Sequence, residues 1–121
     1  MGGENNVLAE KSFAFSIRMV NCYKFLTDSK KEFVMSKQLV RCGTSIGANI
    51  HESIYAQSAS DFVSKLSISL KEASETSYWL KLLSETHYLD TKMYASLKHD
   101  IDELLRLLIS SIKTSKNRPK K

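Results

Sequence analysis

Three histidines, two cysteines and a scatter of carboxylates are the residues from which this chain could build a reactive site. A di-iron helical bundle needs Glu-x-x-His pairs projecting from two helices, and no glutamate here has a histidine three residues later. His51, His87 and His99 fall on three separate segments. Neither Cys-x-x-Cys nor His-x-x-x-His spacing occurs, so a metal site has no sequence signature. The four glycines make no phosphate-cradling loop after a strand. A Ser-His-Asp or Cys-His site would converge only in the fold, but a bundle filled with side chains leaves no pocket to house one. The expectation is no catalytic residue, no metal and no cofactor. Trp79, beside Tyr78, reads as core or subunit interface rather than as a base-stacking platform.

The elements that would carry these residues are helices. The 121 residues fit one domain, and 42% hydrophobic with 26% charged content is that of a globular chain. One proline and four glycines leave few interruptions. No apolar run reaches the roughly 18 residues a bilayer demands. The first residues lack the pattern of a signal peptide, and Asn6 stands where a myristoylation signal needs Ser or Thr. Cys22 and Cys42 each sit within a helical pattern, which fits free thiols in a reducing cytoplasm.

Four helical periodicities follow one another. The first runs from about Leu8 to Thr27, with Phe13, Ile17 and Val20 on one stripe and Phe15, Met19, Cys22 and Leu26 on a second. The second runs from about Glu32 to Tyr55 through Leu39, Gly43, Ile46, Ile50 and Ile54. The third, capped by Ser58 or Ser60, runs to about Ser84 through Phe62, Leu66, Leu70, Ala73, Leu80 and Leu83. The fourth, capped by Asp90 or Thr91, carries Met93, Leu97, Ile101, Leu104, Leu105, Leu108 and Ile112. Leu66, Leu70, Leu80, Leu97, Ile101, Leu104 and Leu108 are the expected buried core. Links this short return each helix antiparallel, which predicts an all-α, up-down-up-down four-helix bundle over residues 8–112. Residues 1–7 read as a flexible leader and 113–121 as a basic tail.

The second helix has the most distinctive pattern. Gly43 and Gly47 lie on one side of it, and each costs about 1 kcal/mol in a helix interior, which points to a close backbone approach. Gln38, Arg41, Ser45, Asn49 and Glu52 form a polar stripe, and on the third helix Glu72 and Glu75 flank Ala73. Two readings stand side by side: a solvated face on each helix, or Arg41 and Asn49 pairing with those acids across an interface and fixing its register.

Gln38-Leu39-Val40-Arg41-Cys42-Gly43-Thr44-Ser45-Ile46-Gly47-Ala48-Asn49-Ile50 resembles the signature of the bacterial four-helix bundle proteins related to those encoded by intervening sequences in large-subunit ribosomal RNA genes. The resemblance continues through Asp61-Phe62, Ser64-Lys65-Leu66, Leu70 to Thr76 and Tyr78-Trp79-Leu80, spanning Phe13 to Leu108. Cys42 stands where the pattern has Ser or Ala, and His51 where Ala is usual. Ser53 and Ile54 also depart from it. One relative, the retroelement accessory variability determinant, is a barrel of five bundles that binds nucleic acid and a reverse transcriptase. The resemblance therefore implies a homo-oligomeric ring, with a pentamer as its form. The wide apolar face of the first helix suits that, since Phe15, Met19 and Leu26 exceed what one core stripe needs.

Charge bears on partners. The last nine residues hold Lys113, Lys116, Arg118, Lys120 and Lys121 with no acid, and the remaining body is neutral. Residues 11–41 carry seven basic against two acidic groups, and residues 52–103 carry nine acids against five lysines. Such asymmetry can guide a polyanion or a second copy of the chain. In one reading Arg18, Lys24, Lys37 and the tail neutralise RNA or DNA phosphates without reading sequence. In the other, the chain is a scaffold or adaptor for another protein and its tail only aids solubility.

Overall fold

The computed structural model describes residues 3–117, with side chains from Val7 onward. It comprises α1 (Gly3–Asp28), α2 (Met35–Ile54), α3 (Ala59–Glu85) and α4 (Thr91–Lys116), with no strand among the described residues. Cross-helix contacts give every direction. Gly43 packs on Met19 while Gly47 packs on Ser12 and Ser16, so α1 and α2 run antiparallel. Arg41 meets Glu75 while Glu52 meets Lys65, which sets α2 against α3. Leu70 lies beside Ile109 and Ile112, so α4 returns along α3. Lys11 reaches Glu103 while Arg18 reaches Asp100, closing the square. The backbones of the diagonal pairs do not approach one another, and α1–α4 is the sparsest of the four seams.

Each link has its own stop and start. At the end of α1 the Glu32 N–H donates to the Leu26 carbonyl at 3.0 Å, with Lys31 between them in left-handed backbone at φ 54°. Glu32 is therefore not the first residue of α2, as periodicity had it, but that helix's cap. Its carboxylate accepts from the backbone N–H of Val34 (3.0 Å), Met35 (2.9 Å) and Ser36 (2.7 Å), groups a helix start leaves unbonded. Ser58 accepts from the Asp61 N–H at 3.0 Å and starts α3, and Asp90 accepts from the Met93 N–H at 2.7 Å and starts α4. Between α3 and α4, His87 adopts φ 69° and the Tyr88 N–H bonds back to Leu83, so a histidine fills the left-handed position glycine usually takes.

The core is drawn from all four helices: Phe15, Met19 and Leu26, then Leu39, Ile46 and Ile50, then Leu66, Ala73, Leu80 and Leu83, then Leu97, Ile101, Leu104 and Leu108. Four sequence expectations change here. Phe15, Met19 and Leu26 are the buried stripe of α1, and the excess stripe is the other one, Phe13, Ile17 and Val20. Leu70 is only half-buried, because it sits at the outer edge of α3 toward α4. Helix α1 starts at Gly3, since nothing between Gly3 and Leu8 breaks a helix. Helix α4 runs to Lys116, so Lys113 and Lys116 are helical, while Arg118, Lys120 and Lys121 lie outside the described residues.

Candidate functional site

The α2–α3 seam is the best-connected polar surface of the bundle. Arg41 donates to Glu75 at 2.5 Å and to Glu72 at 3.4 Å, and its Nε reaches Gln38 at 3.4 Å. Trp79 Nε1 adds a 3.1 Å bond to the same Glu75 carboxylate. Lower on the seam Lys65 pairs with Glu52 at 3.0 Å. Beneath these rim charges, buried Ser69 donates to the Ile46 carbonyl at 2.9 Å and buried Thr76 to Cys42 Sγ at 3.3 Å. Asn49 does not join the acids: it donates to the Ser45 carbonyl one turn back, and Ser45 donates to Arg41. Among the residues nominated from sequence, Gln38, Arg41, Glu72 and Glu75 thus form one network, with Glu52 a separate pair. Rim pairs of this kind contribute about 0–1 kcal/mol each.

The glycines serve the other side of α2. A Cβ on Gly43 would stand 2.5 Å from Met19 Cγ, and one on Gly47 would stand 3.2 Å from the Ser12 carbonyl oxygen. The close approach leaves an outer groove of about 690 Å³ between α1 and α2, lined by Ser12, Phe13, Ser16, Thr44, Gly47, Ala48 and His51. Beside it Phe13 (68% exposed), Ile17 (50%) and Val20 (40%) form an uncovered apolar ridge. His51 stacks at a tilt on Tyr55, with ring centroids 5.6 Å apart.

The residues that could do chemistry stay apart. All three histidines are exposed, and among the described residues no three of His, Cys, Asp and Glu gather to hold a metal. Burial pushes the Cys22 thiol up to about 11, against the opposing pull of Arg18. Burial likewise raises Cys42, with Thr76 donating to its sulfur. Both are thiols at neutral pH, and the thiolate is the nucleophile.

Among the described residues, the nominated phosphate-binding groups do not form one patch. Arg18 is engaged with α4, where it bonds Asp100 at 2.6 Å and the Ser96 hydroxyl at 2.9 Å. Sequence reasoning missed this partnership, since the two segments lie 82 residues apart. Lys24 and Lys37 sit near the α1–α2 link with no ion-pair partner among the described residues. Lys113 and Lys116 stand about 30 Å away at the opposite end, by the rise of α4 alone.

Comparison with known proteins agrees with this architecture. A solved structure of a protein of unknown function from the S23 ribosomal protein family of Bacteroides thetaiotaomicron VPI-5482 is 55% identical in sequence and superposes with a TM-score of 0.90. The match covers 91% of this chain and 98% of that one. No curated protein matches. The family model described as "23S rRNA-intervening sequence protein" matches residues 4–110, and the chain belongs to that family.

Proposed function

We propose that this is a non-catalytic protein that works by self-assembly, as a homo-oligomer larger than a dimer. The observation that carries the reading is the ridge of Phe13, Ile17 and Val20, three large apolar side chains in register on the outside of α1. A lone exposed leucine or valine needs no explanation, but a contiguous apolar stripe marks a contact surface. A ring follows from the likeness to the five-bundle relative, and five copies is its expected size. Two buried free thiols suit a reducing, cytoplasmic setting. Sedimentation velocity at micromolar concentration should show an oligomer, and Phe13→Asp should dissociate it with helicity intact. A wild-type monomer would overturn the reading.

A second activity has its own observation. Lys30, Lys31 and Lys37 are exposed at one end of the bundle, and no carboxylate among the described residues lies within ion-pair distance of them. Lys113 and Lys116 stand at the other end. A ring would multiply each cluster and give RNA or DNA weak binding that falls steeply with salt. Replacing Lys113 and Lys116 by Ala, with residues 118–121 removed, should flatten the salt dependence and leave the oligomer intact. If no nucleic acid binds at about 50 mM salt, the scaffold role alone stands.

A further inference from the structure

Charged residues on this bundle divide by direction. On α1, Lys11 and Arg18 face α4 and are paired; on α3, Lys65, Glu72 and Glu75 face α2 and are paired. Glu10 and Lys24 of α1, with Lys71 and Glu85 of α3, are exposed, and none of the four has a partner among the described residues. These four share a pattern. Glu10, Ile17 and Lys24 are seven apart, and so are Lys71, Tyr78 and Glu85. Seven residues are two helical turns, so each trio forms one stripe. Both stripes point directly away from the buried faces of their helices, defined by Met19 and Leu26 on α1 and by Ala73 and Leu80 on α3. The centre of each is apolar and open, with Ile17 50% and Tyr78 61% exposed.

We infer that the outer stripe of α1 docks on the outer stripe of α3 of a second copy of this chain. The sequence acid–apolar–base on α1 meets base–apolar–acid on α3 at identical spacing. When the helices lie parallel, Glu10 faces Lys71, Ile17 faces Tyr78 and Lys24 faces Glu85. Parallel is the direction available to a rotational ring, because α1 and α3 of one protomer are both antiparallel to α2. The two helices occupy diagonal corners and their outer stripes face away from the shared core, so neither stripe can cover the other within one protomer. A contact between unlike surfaces leaves one stripe free on each outer copy, and that pattern closes only as a ring. The register places the α3 stripe about 9 Å further along the bundle than its level beside α1, so the bundles lean relative to the ring axis. Phe13 and Val20 flank Ile17 and enlarge the apolar centre. Opposite charges at the two ends reject the antiparallel arrangement, which would set like charges against each other.

This pairing rests on the self-assembly proposed above, and its test separates the two. Sedimentation velocity at low salt is run on the full chain and three variants: Glu10→Lys with Lys24→Glu, Lys71→Glu with Glu85→Lys, and all four changes together. Each double variant should weaken association by about tenfold or more, because like charges then face each other at both ends. The fourfold variant restores opposite signs and should reassemble, which also excludes misfolding as the cause. Independently, Ile17→Asp and Tyr78→Asp should each be monomeric alone, and mixed should give a one-to-one dimer and nothing larger, since each retains one intact stripe. A wild-type monomer would sink self-assembly itself. A wild-type oligomer that tolerates the α3 variants, or a fourfold variant that stays dissociated, would sink this pairing and leave assembly to another surface.

Discussion

The α2–α3 seam and the outer face of α1 are built from similar residue types and end in opposite states. On the seam, Arg41 is bound by two carboxylates, Trp79 shares one of them, and Ser69 ties α3 to a backbone carbonyl of α2. On the outer face, Phe13, Ile17 and Val20 are open to solvent and Glu10 and Lys24 have no partner among the described residues. The seam is complete within one protomer. The outer face has the composition of a seam without its second half, and the proposed self-assembly rests on that contrast.

The largest effect expected on the completed side is in the core beneath the seams. Leu104 is fully buried among residues of several helices. Leu104→Ala should cost about 2–5 kcal/mol, the range for removing a buried leucine side chain. Chemical denaturation checks this. An unchanged midpoint would mean that the buried face of α4 is assigned wrongly. Ile17→Ala, measured where the chain is monomeric, should stay within about 0.5 kcal/mol, because an exposed side chain leaves no cavity.

Much of the completed side was legible in the sequence. The stripe of α4 is a single clean period, and Ser58 and Asp90 stand where a cap must stand. The α1 face was legible only in part. Two apolar stripes lie side by side on that helix, and periodicity finds both; taking Phe15, Met19 and Leu26 as the excess stripe inverts them, because burial of Phe15 and exposure of Phe13 are decided by where α2 and α4 pack. Arg18 illustrates the same limit, since its charge looks free until α4 returns beside it. Asn49 shares the polar stripe of Arg41, yet its amide donates to the Ser45 carbonyl at 2.9 Å within its own helix rather than to Glu72 or Glu75.

Next in size is the buried cap at the α1–α2 link, a polar site as complete as the seam. Glu32 is 7% exposed and takes three backbone N–H bonds. Burial by itself would raise its carboxyl, but the N–H groups of Met35, Ser36 and Val34, together with the Ser36 hydroxyl, outweigh burial and hold it below the ordinary carboxylate range. A carboxyl lowered in the folded state stabilises above its unfolded pKa, near 4.3, and that contribution is lost as pH falls through the folded value. Glu32→Gln should cost about 1–2 kcal/mol at neutral pH. It should also remove part of the acid-side fall in stability. Denaturation curves between about pH 7 and 3 would show this; identical pH dependence in both proteins would refute the cap's role.

The smallest effect tests the comparison most directly, because it sets a paired charge against an unpaired one. Arg41→Ala leaves Glu72 and Glu75 one turn apart with no cation between them, whereas Lys24→Ala removes a charge that has no partner among the described residues. The Arg41 side chain is half exposed, so solvent screening limits the pair to about 0.5–1 kcal/mol. A double-mutant cycle between Arg41→Ala and Glu75→Ala isolates that coupling from the loss of packing along the arginine stem. The coupling should shrink as salt rises toward about 1 M, where the screening length is near 3 Å. Lys24→Ala should change monomer stability by less than about 0.5 kcal/mol at every salt concentration, and should weaken self-association at low salt. A cycle energy at Arg41 no larger than the effect of Lys24→Ala would mean that the two faces do not differ in kind. In that case the unpaired charges of α1 would lose their meaning as half of an interface.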